Sequence, residues 1–129
     1  LRSARSLKDA LILIDLAALK KEYEDDFSPR RWCTQIINNA KHARFLAAAS
    51  LEIAYMLEGK ADAYACVCRD LKIMDFCASA SLVKWLGGNY VVLGGEGKRN
   101  LLLENNRLGI IVSSTKDLLR ELCELKNRM

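Results

Sequence analysis

The chain has 129 residues, 51% of them hydrophobic, with 20 basic and 16 acidic side chains and a formal net charge of +4. The apolar content excludes a disordered chain, and the length suits one compact domain, residues 1–129, built on a single core. The small, scattered charge excess excludes a nucleic-acid footprint, and no apolar run approaches the ~20 residues that span a bilayer.

The opening LRSARSLKDALILIDLAAL sets basic residues before an apolar stretch. Asp9 and Asp15 lie in and beside that stretch, which counts against a cleaved leader. The five cysteines, Cys33, Cys66, Cys68, Cys77 and Cys123, are odd in number and lack framework spacing. They read as reduced thiols in a cytoplasmic protein. The first residue is leucine, as in the end piece of a longer protein or a chain whose start is missing.

In chain order, residues 8–16 (KDALILIDL) predict a strand buried on both faces. Residues 17–27 turn polar, and Glu22, Glu24, Asp25 and Asp26 read as a solvated loop or helix end rather than a metal cluster. Ser28-Pro29 starts a helix to Ala40, with serine as cap and proline in the first turn. Trp32, Cys33, Ile36 and Ile37 are its expected buried residues. Residues 41–45 read as a connector carrying the only histidine, His42, on the surface, so no histidine-based metal site or catalytic triad is expected. A helix over 46–58 follows, rich in alanine, with Gly59 as its stop.

Ala63 to Val67 predicts a strand on which Cys66 and Cys68 share a face and pack. A polar segment leads to Asp75, and a helix then runs to Gly87-Gly88. Asn89 to Leu93 predicts a strand, Gly94-Gly95-Glu96-Gly97 a hairpin turn, 100–104 a return strand and 105–106 a turn. The glycine-rich turn lacks the helix and Lys-Ser/Thr ending of a P-loop. Gly109 to Ser113 is a last strand. Ser114 is the expected cap of a final helix with Asp117 in its first turn and Leu118, Leu119, Leu122, Cys123 and Leu125 as its buried stripe. Alternating strands and helices predict an α/β domain, a mixed β-sheet flanked by helices.

Asp75 falls between a strand and a helix, where a carboxylate faces free N–H groups. On spacing alone it is an ordinary cap residue or the holder of a metal or phosphate.

The surrounding motifs add to this reading. Gly59, Asp62, Ala63 and Tyr64, then Asp75, the small residues Ala78 to Ser81 and the closing Gly87-Gly88 resemble the C-terminal signature of the inositol monophosphatase family, magnesium-dependent and lithium-sensitive phosphatases. Arg44 and Leu51-Glu52-Ile53-Ala54-Tyr55 resemble the helix preceding it, and Ser6 to Ala10 the strand that opens the family's C-terminal half. The Asp62-to-Asp75 spacing is similar to that of the archaeal inositol monophosphatase and fructose-1,6-bisphosphatase-like members.

The resemblance implies the C-terminal half of a layered α/β sugar-phosphatase sandwich. It implies hydrolysis of a sugar or inositol phosphate by metal-activated water, with Asp75 as catalytic residue and Mg²⁺ ligand and with Arg44, Arg69 and Lys72 binding substrate. The family's other metal ligands lie in N-terminal motifs that this sequence lacks, so the isolated chain is expected to be inactive. The expected partner is an N-terminal phosphatase half or a second copy of the chain, covering an open sheet face; no nucleic-acid or membrane partner is expected. Three departures support an alternative, a degenerate non-catalytic binding or oligomerisation domain of the same fold. Ala47-Ala48 stand for Gly-Ser, Cys66-Val67-Cys68 for an acidic stretch, and Trp85 for a glutamate.

Overall fold

The computed structural model describes residues 1–24, 27–95 and 107–128. Asp25 and Asp26, the end of the expected hairpin turn, the return strand over 100–104 and the turn at 105–106 lie outside the described residues. Among the described residues five strands, β1 (Leu11–Ile14), β2 (His42–Arg44), β3 (Ala63–Leu71), β4 (Asn89–Leu93) and β5 (Leu108–Ser113), form one sheet in the order β2-β1-β3-β5-β4. β1 pairs parallel with β2 and β3, while β5 pairs antiparallel with β3 and β4.

Parallel neighbours need crossovers, and helices supply them. α1 (Pro29–Asn39) joins β1 to β2, and α2 (Ala49–Leu57) joins β2 to β3. The two connections run in opposite directions across the sheet, so right-handed crossovers put α1 and α2 on opposite faces. α3 (Cys77–Trp85) packs beside α2. α4 (Lys116–Glu124) lies with α1, tied by the Trp32 Nε1–H donating to the Leu122 carbonyl at 2.9 Å. The sheet is thus covered on both sides, and its central strands read as apolar runs rather than alternating ones. Residues 63–68 of β3 and all six residues of β5 are buried.

β3 continues to Leu71, past the expected end at Val67, because β5 pairs with it across a register shift between Cys66 and Leu71. A Cβ on Gly109 would sit 2.5 Å from the Cys66 carbonyl oxygen and 2.7 Å from that of Cys68. Only glycine lets the backbones meet there. Residues 42–44 are a strand rather than the expected connector. Their pairing with Leu11 to Leu13 uses the main chain and needs no apolar side chains, so His42 stays exposed.

Other boundaries follow side-chain chemistry. Ser28 Oγ accepts the Arg31 N–H and Pro29 opens α1, as expected, and Trp32, Cys33 and Ile36 are buried. Ile37, expected to be buried, is 36% exposed at the edge of that stripe. α2 begins at Ala49 rather than residue 46, because Ala47 has φ 81° and cannot be helical. Thr115, not Ser114, caps α4: its Oγ1 accepts the Leu118 N–H at 3.2 Å and donates to the Ala4 carbonyl at 2.8 Å.

Asp62 ties the sheet to the N-terminus. Its carboxylate, fully buried, accepts the Leu11 N–H at 2.7 Å and the Arg2 Nε–H at 2.9 Å.

Candidate functional site

Loops leave the carboxyl ends of β1, β2 and β3 at the point where the crossovers diverge, the usual ligand position in an open α/β sheet. A cavity of about 370 Å³ lies there, lined by Ala47, Ala48, Ala49, Ser50, Leu71, Met74 and Asp75. Asp75 closes a single tight turn, Ile73–Asp75. Its Oδ2 accepts the Lys72 N–H at 2.8 Å, and its own N–H donates to the Lys72 carbonyl at 2.9 Å. The carboxylate therefore caps this turn, two residues ahead of α3, rather than α3 itself. Its Oδ1 has no hydrogen-bond partner among the described residues.

Both helices that begin at this crevice start without a side-chain cap. The N-cap positions are Ala48 for α2 and Phe76 for α3. Their first N–H groups are left for another acceptor, and the positive end of a helix favours an anion.

Behind the α2 entrance stands a group that the sequence reading quoted only as part of a motif. Glu52 is 1% exposed. The Leu46 and Ala47 N–H groups donate to its carboxyl, and its Oε2 has no partner. Burial, with Asp15 adding negative charge, pushes its pKa up to about 7 against the pull of the two amides. The signal was present in the sequence. Ala49, Glu52, Ile53 and Met56 fall at helical spacing on the buried side of α2, so one acid interrupts an apolar stripe. The left-handed Ala47 carried no such signal, because alanine marks no positive φ.

The remaining expected site residues are spread. Lys72 is exposed and shares the tight turn with Asp75. Arg44, at the end of β2, donates through Nη1 to the Ala43 carbonyl and lines a separate depression of about 280 Å³ with Ile14, Leu16 and Phe45. Arg69 is half-buried on β3, its backbone N–H donating to the Glu24 carboxylate and its side chain running under Gly94. The structure brings Asp75 and Lys72 together and leaves both arginines outside the lining of the Asp75 cavity.

No group of three His, Cys, Asp or Glu side chains gathers into a cation site among the described residues. Magnesium keeps near-octahedral oxygen ligands and dehydrates reluctantly. One carboxylate does not meet that demand, so these residues do not by themselves fit a magnesium ion. Glu22 pairs with Arg30 at 3.5 Å and Glu24 with Lys21 at 3.4 Å. Cys66 and Cys68 are buried; Cys66 Sγ donates to the Cys68 carbonyl, and that contact and burial push its pKa up, which makes it inert.

Comparison with known families is decisive at this point: the sequence profile of the inositol monophosphatase family matches residues 6–128. The chain belongs to that family. Inositol monophosphatases are sugar-phosphate phosphatases and are generally metal-dependent. Similar solved structures include inositol monophosphatase-II from Staphylococcus aureus, at TM-score 0.71 and 21% identity, covering 99% of this chain and 44% of that one. The SuhB protein of Mycobacterium tuberculosis aligns at TM-score 0.70 and 14% identity, over 98% of this chain and 44% of its own. The Anabaena inositol monophosphatase aligns at TM-score 0.69 and 14% identity, over 100% and 47%. At these identities the likeness shows the fold. The chain spans about half the length of the inositol monophosphatases it matches. No curated protein sequence matches it. No helix among the described residues is long and apolar enough to cross a membrane.

Proposed function

We propose that this chain is the C-terminal half of a Mg²⁺-dependent sugar- or inositol-phosphate phosphomonoesterase of the cytoplasm, inactive until completed. The observation that carries the proposal is the crevice itself, where Asp75 stands beside two uncapped helix starts. Asp75 is one ligand of a metal site whose other ligands come from a second polypeptide segment. Lys72 lies nearest to help hold the phosphate, with Arg44 and Arg69 as outer positive groups. Similar proteins point to the substrate class: one SaIMPase-II structure holds inositol monophosphate and another holds 2′AMP.

An expected uncovered sheet face is not what needs a partner, since helices cover both faces. The apolar surface lies on the outer side of α3, where Leu82, Trp85 and Leu86 are 51%, 85% and 58% exposed at i, i+3, i+4 spacing. An N-terminal phosphatase half, or a second copy of the chain, covers it in this reading.

The test is reconstitution. The chain is combined with an N-terminal inositol monophosphatase half, and phosphate release from inositol monophosphate is followed with magnesium. Release that depends on magnesium and is lost in Asp75→Asn is expected. A folded complex that releases none with Asp75 intact would overturn the proposal. It would favour the second reading, a non-catalytic binding or oligomerisation domain, which the single carboxylate and the Ala47, Cys66 and Trp85 departures support. In that reading Asp75→Asn leaves assembly unchanged.

A further inference from the structure

The turn that walls the Asp75 cavity is held in an unfavourable shape. Ala47 has φ 81°, a left-handed conformation that costs a side-chain-bearing residue free energy and that persists only where its surroundings enforce it. Nothing in the local sequence enforces it. Residues 45–48 contain no glycine, asparagine or aspartate, the residues that accept this region readily. The restraint comes from below, where the amides of Leu46 and Ala47 both point at the carboxyl of Glu52.

We infer that Glu52 is a positioning residue, a buried proton-controlled latch that holds the 46–48 turn and thereby sets the wall of the cavity beside Asp75. The inference about the turn stands on this geometry alone; its bearing on a phosphate ligand rests on the function proposed above.

Two amides converge on one carboxyl group, and a carboxylate accepts such bonds more strongly than a neutral acid does. The other oxygen, Oε2, is buried without a partner, so a proton placed there breaks no existing bond. The groups that face Glu52 set the balance between the two forms. Asp15, just beyond β1, opposes its ionisation, and Tyr64 on β3, buried and held neutral, supplies no counter-charge. Ionisation of Glu52 near neutral pH therefore tightens the turn, and protonation loosens it. The wall of the cavity responds to pH without any titrating group in its lining other than Asp75.

The test follows the Leu46 and Ala47 backbone amides of the full chain by ¹⁵N NMR between pH 5 and 9. Both resonances are expected to titrate with a common midpoint near 7, and their exchange protection is expected to rise at least threefold from pH 6 to pH 8 after correction for intrinsic rates. Glu52→Gln keeps an acceptor oxygen and should hold the turn while abolishing the titration. Glu52→Ala removes the acceptor and should cost the two amides tenfold or more in protection. If that variant does not fold, the glutamine variant still decides. Two flat amide titrations would overturn the inference, as would a titration that survives in Glu52→Gln, since His42 or Asp15 would then be its source. None of these outcomes depends on phosphatase activity, so failure here is distinct from failure of the reconstitution.

Discussion

A single buried carboxyl carries opposite consequences for the turn above it and for the fold around it. The Glu52 pKa is raised from the ordinary 4.5 to about 7, so the folded chain holds a proton that the unfolded chain releases. The stability from the neutral form is complete below about pH 4.5 and is lost as pH rises through 7, at about 1.4 kcal/mol per unit. Ionisation thus strengthens two local hydrogen bonds while weakening the whole domain. Urea unfolding of Glu52→Gln should lack this slope, and its advantage over the parent chain should grow by up to about 3 kcal/mol between pH 5 and 8. Parallel pH profiles for the two chains would remove Glu52 as the cause. Asp75, by contrast, was visible in the sequence as a residue between strand and helix, because its position follows from chain order. What it caps was not visible, since the tight turn over 73–75 is set by the backbone path after β3 and leaves no mark in residue type.

At the level of elements, apolar stripes were legible and termini less so. α1, α3, α4 and the three central strands stand where their patterns put them, because burial on both faces of the sheet leaves the sequence little freedom. The errors fall where main-chain hydrogen bonding overrides side-chain pattern: β2 pairs through residues that look like a connector, and β3 runs on through polar Arg69 and Asp70. The start of α4 is a third kind of miss. Ser114 and Thr115 are both competent caps, and the chain geometry selects the second. Thr115→Ala should therefore cost about 1 kcal/mol, with more for the lost bond to the Ala4 carbonyl. Ser114→Ala should stay within about 0.5 kcal/mol, because its buried hydroxyl makes no bond to lose. Thermal unfolding of the two variants separates them, and equal losses would return the capping role to Ser114.

At the scale of the molecule, the covered sheet leaves α3 as the face to be explained. Trp85 is the largest apolar group on it, and tryptophan anchors interfaces out of proportion to its area. Trp85→Lys should leave the unfolding midpoint unchanged while weakening assembly with an N-terminal half, or with a second copy, by tenfold or more in sedimentation velocity. Unaltered assembly would move the interface to another surface.

The strand order also governs when the sheet can exist during synthesis. β5 follows every other strand in sequence yet lies between β3 and β4, and among the described residues β4 reaches the sheet only through it. A chain that has emerged as far as Leu93 carries both flanking strands with an empty lane between them. Their unpaired edges stay open until residues 108–113 arrive, so late, long-range pairing rather than stepwise growth completes the fold.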